Sequence, residues 1–354
     1  MSLPMQPCID PNPDIAGIGV RVSIYAQVLL SLVPAALFIS DGKITANEAD
    51  ALETISANIL LTACALLVSA FVQAATFGLS VYHAIIVLNL SWINNMGAFG
   101  CVIVEKQRQV EEKEHMTKKE RLLAWWFHSD GSHRFRWPIA TAAIHLTAMS
   151  AFGIWVWAKI DDFGNQPQCT PQTFITILGR DIFVAHRSIR LASVVIYAAF
   201  LIPFVNVILM LICLALIYMV VITLAACCML MFRKDSDHKE RLFLFSMLWL
   251  VGVILVVVFV VDTELMVQKS SPLVKSGESQ WTFGQTLAIL MLVLPLTDVM
   301  KQSLEWYKAS REEKGNKKQT EEDDKDGNKA GEKKKEEEVE KTGEKTHKRR
   351  EEGG

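Results

Sequence analysis

The fold class is decided by residues 191–232, LASVVIYAAFLIPFVNVILMLICLALIYMVVITLAACCMLMF, which contain no acidic or basic side chain. A helix needs about 20 apolar residues to cross the roughly 30 Å hydrocarbon core of a bilayer. Lipid offers the backbone no hydrogen-bond partner, so a run of this kind must be helical. The run therefore predicts an integral membrane protein.

Six further runs have the same character, and each is too long for a barrel strand. Hydrophobic residues make up 51% of the chain, and the charges lie in a few blocks, which excludes a soluble domain. We expect an all-α fold, a polytopic transmembrane helical bundle of about seven spans. The runs are Ile15–Ile39, Ile55–Leu79, Val81–Val104, Trp137–Ala158, Leu191–Phe232, Leu242–Val261 and Trp281–Met300.

Three regions follow from these runs: a short extracytoplasmic N-terminus (1–14), a seven-helix transmembrane domain (15–300) and a charged tail (301–354). The tail alternates Glu and Lys with hardly an apolar residue, so it cannot form a core and is expected to be disordered or transiently helical. Its acids nearly cancel its bases, so no nucleic-acid partner is expected. A cytoplasmic protein that docks on the tail is one expected partner, and the lipid bilayer is the other.

The orientation is predicted from the lysines and arginines, which collect in cytoplasmic loops. Residues 105–136 form a strongly basic loop, and basic residues recur at 233–241 and in the tail. Seven spans place all three segments on one side. This predicts an extracytoplasmic N-terminus, an extracytoplasmic loop at 159–190 and a cytoplasmic C-terminus. It does not indicate which cellular membrane holds the protein.

The run at 191–232 leaves the number of spans open. Its 42 residues would form a helix about 63 Å long, twice the hydrocarbon thickness. Two helices broken near Pro203 and Asn206 would make eight spans and put residues 233–241 opposite the basic loop. Charge bias favours one kinked helix with protruding ends.

Polar residues inside the runs need a partner or water, because lipid disfavours them. Arg21 is expected about two turns below the outer surface, and Asp262 follows the sixth run at the same side. They are predicted to form an intramembrane ion pair, although Arg21 could instead extend to the lipid head groups. The polar residues considered are Arg21, Gln27, Gln73, His83, Asn89, Asn94, Asn95, His145, Asn206, Asp262, Gln285 and Asp298.

Metal, cofactor and catalytic sites are not expected. His83 and His145 have no further ligand at metal-binding spacing on their own helices, so they are interpreted as hydrogen-bonded core residues. Asp298 has no histidine partner in a recognisable hydrolase motif. We therefore expect a protein that is not an enzyme and holds no cofactor.

Only two of the seven cysteines, Cys8 and Cys169, lie outside the apolar runs. Both fall on the predicted extracytoplasmic side, where an oxidising environment favours disulfides. The sequence therefore predicts a structural disulfide between them, and two unrelated thiols are the alternative.

Several motifs resemble those of a family of fungal multi-pass integral membrane proteins of unknown function. They are Asn12–Arg21 with Tyr25-Ala26-Gln27, Tyr82-His83-Ala84, Leu90-Ser91-Trp92 and Gln280–Gln285. The resemblance spans most of the membrane region but not the tail. It implies a fungal membrane protein and no particular chemistry.

Two classes of function remain open. A seven-helix sensor or receptor-like protein is favoured by the predicted topology, the basic loop and the long tail, which is an argument from fold alone. The alternative is a channel or transporter for a small solute or ion. Its path would be lined by Arg21, Gln73, Asn94, Asn95 and Asp262.

Overall fold

A computed structural model describes residues 7–41, 46–112, 136–229 and 237–311. The chain divides into two units, residues 1–300 and 301–354. Within the described residues the helices are α1 (Pro13–Ala16), α2 (Ile18–Ser31), α3 (Val33–Asp41), α4 (Ala46–Thr76), α5 (Val81–Glu112), α6 (Arg136–Ala158), α7 (Arg187–Ala199), α8 (Val205–Met229), α9 (Asp237–Ser270) and α10 (Phe283–Arg311). One antiparallel hairpin joins β1 (Phe174–Ile177) to β2 (Arg180–Phe183).

The described residues include six helical segments that are long and apolar enough to cross a membrane. The prediction of an all-α fold with several helices able to cross a membrane is confirmed. Helix α8 is a further apolar helix of 25 residues, and it is not among the six, so a count of seven spans stays a prediction. The six segments are Pro13–Leu37, Asp50–Thr76, Val81–Val104, Trp137–Ala158, Phe245–Leu273 and Phe283–Arg311.

Most helices extend past the ends predicted from hydropathy. Helix α5 continues to Glu112, inside the segment 105–136 predicted as a loop, and α10 continues to Arg311, inside the predicted tail. Glu, Lys and Gln are good helix formers, so a helix can leave the apolar layer without ending. The rest of the tail and residues 113–135 of the basic loop lie outside the described residues.

The long run at 191–232 is divided into α7 and α8 by the segment 200–204. Pro203 cannot continue a helix, and Phe204 has a left-handed backbone with φ 67°. Both helices nevertheless run antiparallel to α6. Tyr197 lies against Gly153, and further along Asn206 donates hydrogen bonds to the Ala143 carbonyl and Thr147 Oγ1, both at 3.0 Å. The chain therefore keeps its direction at Pro203 instead of reversing.

Helix α5 is the centre of the bundle, because it contacts α2, α4, α6 and α9 and is the most buried of the six spans. Around it lie two apolar clusters. The larger includes Ile24, Tyr82 and Phe152, and the smaller includes Leu52 and Cys101 near the other end of the helices. Close approach depends on small residues, since a side chain at Gly97 would meet Val28 of α2.

The chain segments at one end of the bundle form a hydrogen-bonded cap, and we call this end the hairpin end. The backbone of Cys8 and Ile9 donates to the Leu273 carbonyl at 2.8 and 2.9 Å, and Lys275 donates back to the Ile9 carbonyl at 2.8 Å. The hairpin lies in the predicted extracytoplasmic loop 159–190. Its turn residues Leu178 and Gly179 have φ 50° and 76°, which is the conformation of a two-residue type I′ turn.

Candidate functional site

A partly buried charge cluster joins α2 to α9. Arg21 forms an ion pair with Glu264 and donates from Nε to the Ala16 carbonyl at 2.9 Å. Tyr25 lies one turn further along α2 and donates from its hydroxyl to Glu264 Oε1 at 2.9 Å. Residues four apart share one face of a helix. Arg21 and Tyr25 therefore hold the same carboxylate, and the charge of Arg21 is balanced.

The predicted ion pair between Arg21 and Asp262 is wrong. The prediction ended the sixth helix at Val261, whereas α9 continues to Ser270. At 3.6 residues per turn, two positions in one helix are separated by about 200°. Glu264 therefore points to α2 while Asp262 points elsewhere. Sequence reasoning missed Glu264 because hydropathy placed it outside the membrane, although the need of Arg21 for a partner pointed to this region.

Asp262 binds the turn of the hairpin. Its Oδ2 accepts the Leu178 N–H at 2.7 Å, and its Oδ1 accepts the Gly179 N–H at 2.9 Å. No lysine or arginine of the described chain forms an ion pair with it. The two acceptor bonds fix the left-handed turn without neutralising the negative charge.

A second contact fastens the hairpin to α9. Lys269 Nζ donates to both carboxylate oxygens of Asp181, at 2.9 and 2.8 Å, and Thr176 donates to the same carboxylate at 2.9 Å. The hydrogen bond from Lys269 lowers the pKa of the Asp181 carboxyl below its ordinary value. This contact is consequently present at neutral pH and is lost only as the pH falls through that lowered pKa.

The structure joins Cys8 and Cys169 in a disulfide, with Cα atoms 5.9 Å apart. Polar contacts surround it. Gln166 and Asp10 hydrogen-bond to each other through side chain and backbone, and Lys275 donates to Asp10 Oδ1 at 2.7 Å. The N-terminal segment is therefore held to the 159–190 loop and to residues 273–275 together.

His83 and His145 both have hydrogen-bond partners. Ser80, which precedes α5, is 2.7 Å from His83 Nδ1, and Glu278 Oε1 is 3.0 Å from His83 Nε2. A proton on Nε2 satisfies both contacts. His145 Nδ1 is 3.1 Å from Asn95 Oδ1. Among the described residues there is no group of three or more side chains suited to hold a metal ion.

Of the five residues proposed to line a channel path, four have partners outside that set. Arg21 binds Glu264, Gln73 accepts a hydrogen bond from Asn12, Asn95 binds His145, and Asp262 binds the hairpin turn. Asn94 is buried, and its amide has no hydrogen-bond partner among the described residues. The fold brings no two of the five into direct hydrogen-bond contact within the described part of the chain.

A cavity of about 650 Å³ lies between α5, α7, α8 and α9, and β1 with the hairpin turn lines one end of it. We call this cavity the chamber. Its walls are mainly apolar, with aromatic rings from α5, α6, α7 and α9, and Asp262 is the only charged residue among the described residues that line it. The main aromatic residues of the wall are Trp92, Phe99, Trp157, Tyr197, Phe200, Phe245, Trp249 and Phe259.

Two further features of the wall bear on binding. Trp92 Nε1 donates to the Tyr197 hydroxyl at 3.2 Å, and no acceptor for the Tyr197 proton lies among the described residues. Gly100 and Gly252 line the chamber, and a Cβ added at either would meet no atom within 4 Å. The chamber therefore has room beside both glycines, and one of its lining residues has a hydroxyl proton without an acceptor in the described chain.

Comparison with protein-family models, curated proteins and solved structures finds no match to this chain.

Replacing Arg21 by Ala should lower the free energy of unfolding in detergent by about 2 kcal/mol. This expected loss is smaller than the loss of about 3 to 5 kcal/mol that follows removal of one partner of a fully buried pair. The reason is that the Glu264 side chain is 33% exposed. Adding Glu264→Ala should recover part of the loss, since the lone carboxylate is then gone. Asp262→Ala combined with Arg21→Ala is the control and should be additive. Additive losses in the Arg21 and Glu264 cycle would contradict the pairing.

Replacing Cys8 and Cys169 by Ser should lower stability by about 2 to 4 kcal/mol, because the disulfide closes a long loop of the unfolded chain. Thermal unfolding in detergent measures the change, and Cys64→Ser, at a free cysteine of α4, is the control. Digestion without reductant should yield the two cysteine peptides linked. Recovery of both as separate alkylated thiols would show that the bond does not form.

Proposed function

We propose that this membrane protein is receptor-like and binds a lipophilic small molecule in the chamber. The chamber is the observation that carries the proposal. Its volume of about 650 Å³ lies within the about 300 to 1,000 Å³ typical of small-molecule sites. Such sites combine a mostly apolar wall with a few polar groups that orient the ligand, and Tyr197, Asn89 and Asp262 are polar groups of this kind.

The residues that could orient a ligand lie on different elements. Asn89 belongs to α5 and has no hydrogen-bond partner among the described residues, Tyr197 belongs to α7, and Asp262 belongs to α9. A ligand that reached all three would connect helices that otherwise meet mainly through apolar contacts. A sensor needs a structural change on ligand binding, and a change in the spacing of these helices would supply it.

The alternative function, a channel or transporter, has less support. The polar residues proposed for its path are mostly engaged with partners of their own, and they do not share one surface of the chamber. We propose no enzymatic activity and no cofactor. His83 contacts the Ser80 hydroxyl at 2.7 Å, but both side chains are buried and neither lines the chamber.

The topology proposed with this function has seven spans, in which α7 and α8 together make the fifth. The contacts of both helices with α6 support one crossing. The lysine and arginine distribution supports an extracytoplasmic hairpin end and a cytoplasmic C-terminus. The chamber would then lie below the extracytoplasmic surface, and the tail would be available to a cytoplasmic protein. We also propose that the chain belongs to the family of fungal multi-pass membrane proteins that its motifs resemble.

The neutral probe 1-pyrenemethanol should bind the protein saturably in phosphatidylcholine nanodiscs. Trp92, Trp157 and Trp249 line the chamber, so binding is measured as energy transfer from tryptophan to pyrene. Gly252→Phe should abolish the saturable part, because its ring would occupy the open space beside Gly252.

Leu250→Phe is the matched control. Leu250 lies on the same helix, is 44% exposed and does not line the chamber, so this variant should bind like the unaltered protein. Equal energy transfer in all three proteins would mean that the probe dissolves only in the lipid, and the proposed function would be wrong.

A further inference from the structure

The negative charge of Asp262 has no positive partner in the described chain, although it lies at the wall of an apolar chamber. Glu264, two residues further along α9, is neutralised by Arg21. The neighbours of Asp262 are neutral N–H groups, at 2.7 and 2.9 Å. Because charged groups in membrane helices are costly and usually paired, this difference between the two acids favours a ligand that brings a positive charge to Asp262.

The carboxylate of Asp262 has capacity for such a cation. Each of its oxygens accepts one backbone N–H from the hairpin turn, whereas an ionised carboxylate offers about four acceptor positions. The remaining positions can take the N–H groups of an ammonium without displacing the hairpin. The hairpin also keeps its second contact, between Asp181 and Lys269.

The walls of the chamber suit a cation with a large apolar body. Phe259 lies one turn before Asp262 on the same side of α9, and both line the chamber. Trp92 contacts Phe200 edge to face with ring centroids 5.4 Å apart, and both rings line the chamber. Aromatic faces attract organic cations, and the apolar remainder of the wall favours the body of the ligand by desolvation.

We propose that the chamber binds a lipophilic organic cation, an amphiphilic molecule with a protonated amine, and that Asp262 is its counter-ion. This rests on the proposed function and narrows it to one chemical class. A carboxylate ligand would be repelled by Asp262, and a neutral ligand would leave the charge unpaired.

Three probes with the same ring system test the class: 1-pyrenemethylamine, which is cationic at neutral pH, 1-pyrenemethanol and 1-pyrenecarboxylic acid. In zwitterionic phosphatidylcholine nanodiscs the amine should bind the unaltered protein at least about ten-fold more tightly than the alcohol, and the acid more weakly than either. The affinities are compared after subtraction of the Gly252→Phe signal, which reports probe dissolved in lipid.

Replacing Asp262 by Asn should bring the affinities of amine and alcohol together, while Asp262→Glu should keep the preference. Asp161→Asn is the control. Asp161 pairs with Arg190 at the hairpin end and is 66% exposed, so its loss removes an acid from the same region without changing the chamber. The control should retain the full preference.

The outcomes separate the two proposals. Saturable binding of the alcohol with no preference for the amine in the unaltered protein would overturn the cation inference and leave the proposed function standing. A preference that survives in Asp262→Asn, or is lost equally in Asp161→Asn, would remove Asp262 as the counter-ion. Failure of every probe to bind saturably, as expected if bilayer lipid fills the chamber, would overturn both.

Discussion

The ion pair between Arg21 of α2 and Glu264 of α9 joins the start of the bundle to its penultimate described helix. Removing two charges from water is costly, so the pair forms only where the partners meet closely and share further hydrogen bonds. Tyr25 and the Ala16 carbonyl supply those bonds. The position of α9 against α2 and α5 is thereby set, and with it the orientation of every other residue of α9.

That orientation determines the chamber. With Glu264 directed to α2, helical geometry turns Asp262 to another side of α9, where it meets the hairpin and the chamber wall. The hairpin is also held by Lys269 of the same helix, and the disulfide from Cys8 to Cys169 fixes the loop that precedes it. The cap at the hairpin end and the chamber are therefore parts of one arrangement, in which α9 is the common element.

Hydropathy was sufficient to predict the six helices that are long and apolar enough to cross a membrane, because each must supply a long apolar run whatever it packs against. It failed at the helix ends, since helices α5, α9 and α10 continue through residues that favour both helix and water. Glu264 was missed for this reason.

The hairpin was missed because its turn uses Leu178-Gly179 instead of a strong Asn-Gly signal, and Leu178 depends on Asp262, 84 positions away. The chamber could not be predicted, because it depends on which faces of four helices meet. Cys8 and Cys169 could be chosen from sequence because no other cysteine lies outside the apolar runs.

Binding of an organic cation requires that Asp262 is charged and that it faces a chamber able to hold a ligand. An experimental structure of the protein in phosphatidylcholine nanodiscs with 1-pyrenemethylamine tests this directly. We expect density for the ring between α5, α7 and α9, with the amine nitrogen within hydrogen-bond distance of an Asp262 carboxylate oxygen. Side chains packed together where the chamber lies, or a lysine or arginine bound to Asp262, would contradict the account.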